Sequence, residues 1–330
     1  MTSKRDSRDE IRARIKPTLD NVAVKGLRAW LKAIGLSSAA YTRSTITNLV
    51  ADEIAEGRLA EAALEKALIG FEEASDMRIY IYQLDELPKG EPKKWLPTRL
   101  LNAGFAIAKS RTFAGERTRP MSPIYAEFDG QLLRVKWAEQ HESLKIDDKT
   151  GKVVRTPVDR RIVLIADLPE KTAELRLNAS ESRHPYEDAS GRTPAELYYR
   201  AYIDKARDLL GCTLLPIEWR PVVRKLVEEE DPRVIRIHID NHTNQSNTRA
   251  KTHASRADVR DDPDWKLAYE ENGGSWAWDA QSFYWMPKAS SGFLTRELYS
   301  HINAEEGYVK VNADCSDEEV NYVVSQIRAR

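Results

Sequence analysis

Apolar residues recur at helical spacing through the first 75 residues of the chain. Leu27 and Leu31 lie four positions apart, a pattern that places them on one face of a helix. Gly35 follows and is predicted to end that helix, because glycine readily adopts the backbone conformation of a C-cap. The same spacing recurs at Ile46, Leu49, Val50 and Ile54, and an alanine-rich helix is predicted over residues 59–71. Residues 1–76 are therefore predicted to form a helical module.

The pattern changes at Met77, where MRIYIYQLDEL favours a strand over a helix. Short β-type runs follow further along the chain. Asp129-Gly130 lies between two of them and predicts a tight hairpin, since this dipeptide suits the positive φ angles of such turns. Residues 89–123, rich in basic residues and proline, are predicted to connect the first strand to the others. Residues 77–190 are predicted to be a β-rich domain with an antiparallel sheet.

The remainder of the chain mixes both patterns. It contains a predicted helix over residues 193–210, a strand in RVIRIHID, and a last helix opened by a capping box of Ser316 and Glu319. The aromatic run SWAWDAQSFYWM is predicted to fold as a hairpin about Asp279-Ala280. Residues 191–330 are thus predicted to be an α+β domain. The predicted fold class is α+β, with an N-terminal helical module, a central antiparallel β-sheet and a C-terminal α+β part.

Composition narrows the class of protein. With 41% hydrophobic and 31% charged residues among 330, the chain is expected to fold into globular domains. Its two cysteines have no metal-binding spacing, and neither a signal segment nor a long apolar stretch is evident, so a cytoplasmic location away from membranes is expected. No phosphate-binding glycine loop or common hydrolase motif occurs. No cofactor is therefore expected, and a non-catalytic role is favoured over an enzymatic one.

Charge is balanced overall but segregated locally. The chain has 51 basic and 52 acidic residues, so only local clusters can indicate a polyanionic partner. Residues 21–50 contain no acid, whereas residues 51–77 contain eight. The acid-free stretch carries four cations: Lys25, Arg28, Lys32 and Arg43. The first three share one helix face at spacings i, i+3 and i+7, and they are predicted to contact phosphates. The alternative is an ordinary solvated helix face beside an acidic neighbour.

The segments VKGLRAWLKAIGL and TRSTITNLVADEI loosely resemble the SAP-type DNA-binding helix pair. In that family a leucine-rich helix ends in Gly-Leu and a basic residue opens a second apolar helix. The matching positions are Leu27, Leu31, Gly35, Leu36, Arg43, Leu49 and Ile54. The loop between the helices is longer here and lacks the second glycine. The resemblance covers about a tenth of the chain and implies DNA binding by these helices.

A second basic segment extends from residue 89 to residue 123. Its candidate phosphate contacts are Lys93, Lys94, Arg99, Lys109, Arg111, Arg117 and Arg119. Trp95, Phe105 and Phe113 are interleaved with them, and bases can stack on such rings. In the alternative, Leu100, Leu101, Phe105 and Ile107 form a core-facing helix, and the rest is a solvated loop.

A third candidate is HIDNHTNQSNTRAKTHASR. Alternation places His238, Asp240 and His242 on one face of a strand, where they could hold a divalent metal. The segment faintly resembles the HNH-type nuclease core, with His238, Asp240, Asn247 and His253 at the matching positions. This resemblance implies a metal-dependent nuclease, although the paired histidines of that family are reduced to one. In a non-catalytic alternative, loop 242–260 is a basic loop that contacts phosphates through Arg249, Lys251, Arg256 and Arg260.

The aromatic run gives a last alternative. Trp276, Trp278, Phe283, Tyr284 and Trp285 are predicted to pack within the sheet, and the alternative is a protein-interaction surface. Taken together, these patterns predict a non-catalytic nucleic-acid-binding protein, with DNA favoured as the partner. A metal-dependent nuclease and a protein-interaction subunit are the two competing hypotheses.

Overall fold

The chain forms two compact units in a computed structural model. Unit 1 comprises Met1–Asp76 and Glu218–Arg330, and unit 2 comprises Met77–Ile217. This grouping differs from the three consecutive domains that the sequence suggested, because residues 218–330 pack with the N-terminal helices. The structure describes residues 7–20, 22, 24–36, 42–75, 77–106, 111–112, 121–146, 153–178, 194–229, 234–242, 247–251, 258–273, 276–287, 290, 293–294, 296–311 and 315–330.

The N-terminal part of unit 1 is helical, as the periodicity predicted. Its helices are α1 (Arg8–Asp20), α2 (Val24–Ala33), α3 (Arg43–Ala55) and α4 (Glu61–Ala74). The predicted C-cap at Gly35 is confirmed: its φ is 79°, and the Leu36 amide donates to the carbonyl of Leu31 at 2.8 Å. This pattern of one left-handed glycine and a 6→1 hydrogen bond is a Schellman motif. Leu27 and Leu31 are buried beneath it.

Unit 2 is built on an antiparallel sheet. Its elements are β1 (Met77–Asp85), α5 (Pro92–Asn102), β2 (Ser122–Phe128), β3 (Leu132–Ile146), β4 (Val153–Asp167), β5 (Thr172–Asn178), α6 (Pro194–Leu210) and β6 (Thr213–Pro216). The strand order is β2-β3-β4-β5-β1-β6. The Asp129-Gly130 hairpin is confirmed between β2 and β3. The Asp129 carboxylate accepts from the amides of Gln131 and Leu132, both at 2.8 Å, and Gly130 has a φ of 108°.

The C-terminal part of unit 1 contributes further antiparallel strands. Its elements are α7 (Trp219–Glu228), β7 (Val234–His242), β8 (Asn247–Lys251), a 3-10 turn (Val259–Asp261), α8 (Pro263–Asn272), β9 (Ala277–Trp285), β10 (Leu298–Asn303), β11 (Tyr308–Val311) and α9 (Asp317–Arg328). The strand order is β11-β10-β9-β7-β8. The predicted capping box of Ser316 and Glu319 opens α9. Helices and antiparallel strands together confirm the α+β class.

Two local predictions for this part were wrong. The aromatic run does not turn at Asp279-Ala280: it forms the single strand β9, paired with β7 on one side and β10 on the other. The β7–β9 ladder skips Asp279, so this residue marks a bulge rather than a turn. Loop 242–260 was also predicted wrongly in part, because residues 247–251 are strand β8, in an antiparallel ladder with β7. Backbone pairing overrode the polar composition that suggested a loop.

Among the helices of the described residues, none is both long enough and sufficiently apolar to cross a membrane.

Candidate nucleic-acid interface

One face of α2 presents three cations. Lys25, Arg28 and Lys32 are all exposed, and at 100° per residue they fall within about 60° of each other around the helix axis. Leu27 and Leu31, on a different side of the helix, are buried. The apolar side therefore fixes the orientation of α2, and the cationic side faces solvent.

The acids of neighbouring helices are paired with other bases. Arg14 of α1 forms two hydrogen bonds of 2.7 Å with Glu61 of α4, and Arg8 pairs with Asp52 of α3. Arg58 donates to both oxygens of Glu53 at 2.6 Å, and this hydrogen bonding lowers the pKa of the Glu53 carboxyl. Asp52, Glu53 and Glu61, which follow α2 in sequence, therefore have cationic partners outside α2. In the part of unit 1 that the structure describes, no ion pair links Lys25 or Lys32 to an acid.

Arg43 has a different environment from the cations of α2. Its guanidinium donates to the carbonyl of Val22 at 2.7 Å and also to the carbonyl of Leu19. Leu19 lies in the last turn of α1, where carbonyl groups lack helical partners. Arg43, the first residue of α3, thus ties the beginning of α3 to the end of α1.

The cations predicted in the second basic segment belong to unit 2. Lys93 and Lys94 are exposed on α5, and Lys94 lies 3.4 Å from Glu91. Arg99 is half-buried and donates to the carbonyl of Asp208 at 2.7 Å. The predicted single surface joined this segment to α2, but α2 belongs to unit 1. The two sets of cations are therefore described separately, and the single surface stays a prediction.

Arg99 lines an open cleft of about 380 Å³ at the end of α6. Arg207, which sequence reasoning did not single out, lines the same cleft. Cys212 is half-buried there, and burial raises the pKa of its thiol to about 11. The thiol is therefore protonated at neutral pH and is a poor nucleophile.

Part of the second basic segment serves the core of unit 2. Leu96, Leu100 and Phe105 are buried, and Phe105 meets Trp137 edge-on at 5.3 Å between ring centroids. The core-facing alternative thus describes Leu100 and Phe105, whereas Leu101 is 66% exposed. Arg111 is half-buried. Ile107, Lys109, Phe113, Arg117 and Arg119 lie outside the described residues.

The third candidate lies on the β7–β8 hairpin. The ladder pairs His238 with Lys251, Asp240 with Arg249 and His242 with Asn247. The side chains of these residues lie outside the described part of the structure, as do Arg256 and His253, so the metal site and the phosphate contacts stay predictions. Across the residues that are described, no group of three His, Cys, Asp or Glu side chains is placed to hold a metal ion.

Arg260 and the aromatic run near this hairpin both have contacts within unit 1. Arg260 donates to Asp258 at 2.7 Å and to the carbonyl of Glu229 at 3.0 Å. Trp276, Trp278, Phe283 and Trp285 are each at most 7% exposed. These four rings are packed in unit 1, as predicted, whereas Tyr284 is half-exposed.

Sequence reasoning missed a set of buried cations in unit 2. Lys136 and Arg176 have no exposed surface, and Arg134 is 6% exposed. Arg176 donates to Glu174 at 2.9 Å, and the Lys136 ammonium donates to the carbonyl of Thr112 at 3.3 Å. A signal was present in LLRVKW, where cations alternate with apolar residues and therefore lie on one face of β3.

Comparison with known proteins adds no family assignment. No family model matches the chain, and no curated protein sequence matches it either.

Proposed function

We propose that this protein binds nucleic acid without catalysing a reaction on it, and that the α2 face of Lys25, Arg28 and Lys32 contacts phosphates. The observation that carries the proposal is the exposure of these three cations on one helix face. Asp52, Glu53 and Glu61 of the neighbouring helices and loop are paired with bases outside α2. A polyanion gains affinity from such a face because each phosphate contact releases condensed counterions.

The resemblance to the SAP-type helix pair supports DNA as the polyanion. Leu27 and Leu31 pack inward, and the Gly35-Leu36 pair closes α2, as the resemblance implies. Arg43 departs from it, since its guanidinium holds backbone carbonyls. Arg43 therefore ties the beginning of α3 to the end of α1, and phosphate contact falls to the three cations of α2.

Binding to a labelled 20-base-pair DNA duplex over a series of salt concentrations tests the proposal. The test variant is Lys25→Gln/Arg28→Gln/Lys32→Gln. Glutamine keeps helix propensity while removing the charge. We expect the slope of log K against log salt to become shallower by about 0.9 for each phosphate contact that is lost.

A matched control is Arg12→Gln/Lys66→Gln/Lys266→Gln. These three exposed cations of unit 1 lie on separate helices, so the control changes net charge equally without touching α2. We expect the control to keep the wild-type slope. Absence of duplex binding at low salt, or equal changes in the two variants, would refute the α2 surface.

A further inference from the structure

Gln281 of β9 is a polar residue inside the core of unit 1. Its side chain has no exposed surface, and among the described residues neither the oxygen nor the nitrogen of its amide has a hydrogen-bonding partner. The ladders pair Gln281 with Ile302 of β10 and Ile239 of β7, and both isoleucines are fully buried. Paired residues project from the same face of a sheet. The side chains that flank the amide on this face are therefore hydrocarbon and cannot satisfy it.

A second polar group projects from the same face of β9. Trp278 is 3% exposed, and its indole Nε1–H has no acceptor in the part of the chain that the structure describes. It pairs with Asn241, two positions along β7 from the Ile239 that pairs with Gln281. Alternate residues of a strand point to one face, and they are separated by roughly 7 Å along the strand. The side chains of Trp278 and Gln281 are therefore neighbours on the core face.

Water is the partner that suits these two groups. Buried polar groups in proteins are nearly always hydrogen-bonded, and an internal water takes the place of a missing protein partner. A water molecule both donates and accepts, so it can donate to the amide oxygen of Gln281 while it accepts from Nε1–H of Trp278. Two hydrogen bonds of about 2.9 Å through one oxygen span the distance between neighbouring side chains on a strand.

We propose that a buried water molecule bridges the side-chain amide of Gln281 and the indole Nε1–H of Trp278. Asp279 and Ala280 lie between the two residues, and Asp279 is the bulged residue that the β7–β9 ladder skips. A bulge interrupts regular backbone pairing and bends its strand. The water thus joins the parts of β9 on either side of the bulge. This inference is independent of the proposed nucleic-acid binding and concerns a different part of unit 1.

Magnetic relaxation dispersion of the solvent tests the proposal, because it counts the water molecules that stay inside the full-length protein for long times. We expect Gln281→Met to lower this count by about one, since methionine fills a similar volume without a hydrogen-bonding amide. Trp278→Phe removes the Nε1–H and keeps an aromatic ring, so we expect the same loss. Thermal melting confirms that each variant is folded.

The matched control is Gln83→Met. Gln83 is an exposed residue of β1, so the control makes the same substitution outside the core. We expect it to keep the wild-type count. A crystal structure of the wild-type protein is a second measurement that needs no variant. We expect electron density for a water oxygen about 2.7–3.2 Å from both the Gln281 amide and Trp278 Nε1.

An unchanged water count in folded Gln281→Met would overturn the inference. A crystal structure in which protein groups satisfy the Gln281 amide would overturn it as well. A loss in Gln281→Met that Trp278→Phe does not share would refute the bridge between the two residues. An equal loss in Gln83→Met would show that the change does not come from the core, and would also contradict the proposal.

Discussion

The cations of α2 and the cations of the unit-2 sheet carry the same charge in opposite environments. Lys25 and Lys32 are exposed on a helix, whereas Lys136 and Arg176 have no exposed surface. A buried cation has lost its hydration and depends on its partners, so its role is to hold the fold. An exposed cation contributes little to stability and stays accessible to phosphate. Basic residues in a sequence therefore indicate an interface only where the fold leaves them at the surface.

Arg176 gives the most direct test of whether a buried cation holds the fold together. Arg176→Met should lower the free energy of unfolding by about 3–5 kcal/mol, because it removes the hydrogen-bonded guanidinium from the buried Glu174 carboxylate. Urea denaturation followed by circular dichroism measures the loss. The double variant Arg176→Met/Glu174→Leu should recover part of it, because both charges are then gone. Equal losses in the single and double variants would contradict this pairing.

A variant of Arg43 tests whether a half-buried cation stabilises the fold, as a buried cation does, or contacts phosphate, as an exposed cation can. Arg43→Gln should lower the free energy of unfolding by about 2 kcal/mol, because charge-assisted hydrogen bonds to the carbonyls of Leu19 and Val22 are lost. The salt dependence of duplex binding, measured on the folded variant, should not change. A shallower salt slope with full stability would instead make Arg43 a phosphate contact.

The buried polar groups of unit 2 also predict a pH dependence. Tyr82 and Tyr199 share a hydrogen bond, and burial raises the pKa of both phenols. In the unfolded chain tyrosine ionises near pH 10, so the stability that the two phenols contribute is complete below that pH and is lost as the pH rises above it.

Tyr82→Phe sharpens this prediction. At neutral pH it should cost about 1 kcal/mol, the net value of one hydrogen bond. Above pH 10 its free energy of unfolding should fall less steeply than that of the wild type, because one fewer phenol ionises on unfolding. Parallel profiles of the two proteins between pH 9 and pH 11 would rule out Tyr82 as a source of the dependence.

The smallest stability effect is expected on α2. Lys32→Gln should change the free energy of unfolding by no more than about 0.5 kcal/mol, because the side chain is exposed. The same variant should make the salt slope of duplex binding shallower by about 0.9. A large loss of stability here would show that α2 uses Lys32 structurally, as the unit-2 sheet uses Arg176.

Local signals predicted much of the secondary structure. The helices of residues 8–75, the Gly35 C-cap, the Asp129-Gly130 hairpin and the capping box at Ser316 follow from interactions within a few residues of each other. Predictions failed where the partner is distant in sequence. Asp279-Ala280 is a bulge within a strand because β7 and β10 flank β9, and no local pattern reveals those neighbours.

The features of the candidate site also fall into those that are local in sequence and those that depend on distant residues. The sequence by itself determined that Lys25, Arg28 and Lys32 share a helix face, because helical spacing is a local property. Only the tertiary structure decided that Arg14 pairs with Glu61, that Arg43 holds the end of α1, and that the rings of Tyr284 and Tyr299 meet. Each of these contacts joins residues well separated along the chain. Charge and aromatic character are properties of single residues, so the sequence determines them. Burial and pairing depend on which segments the fold brings together.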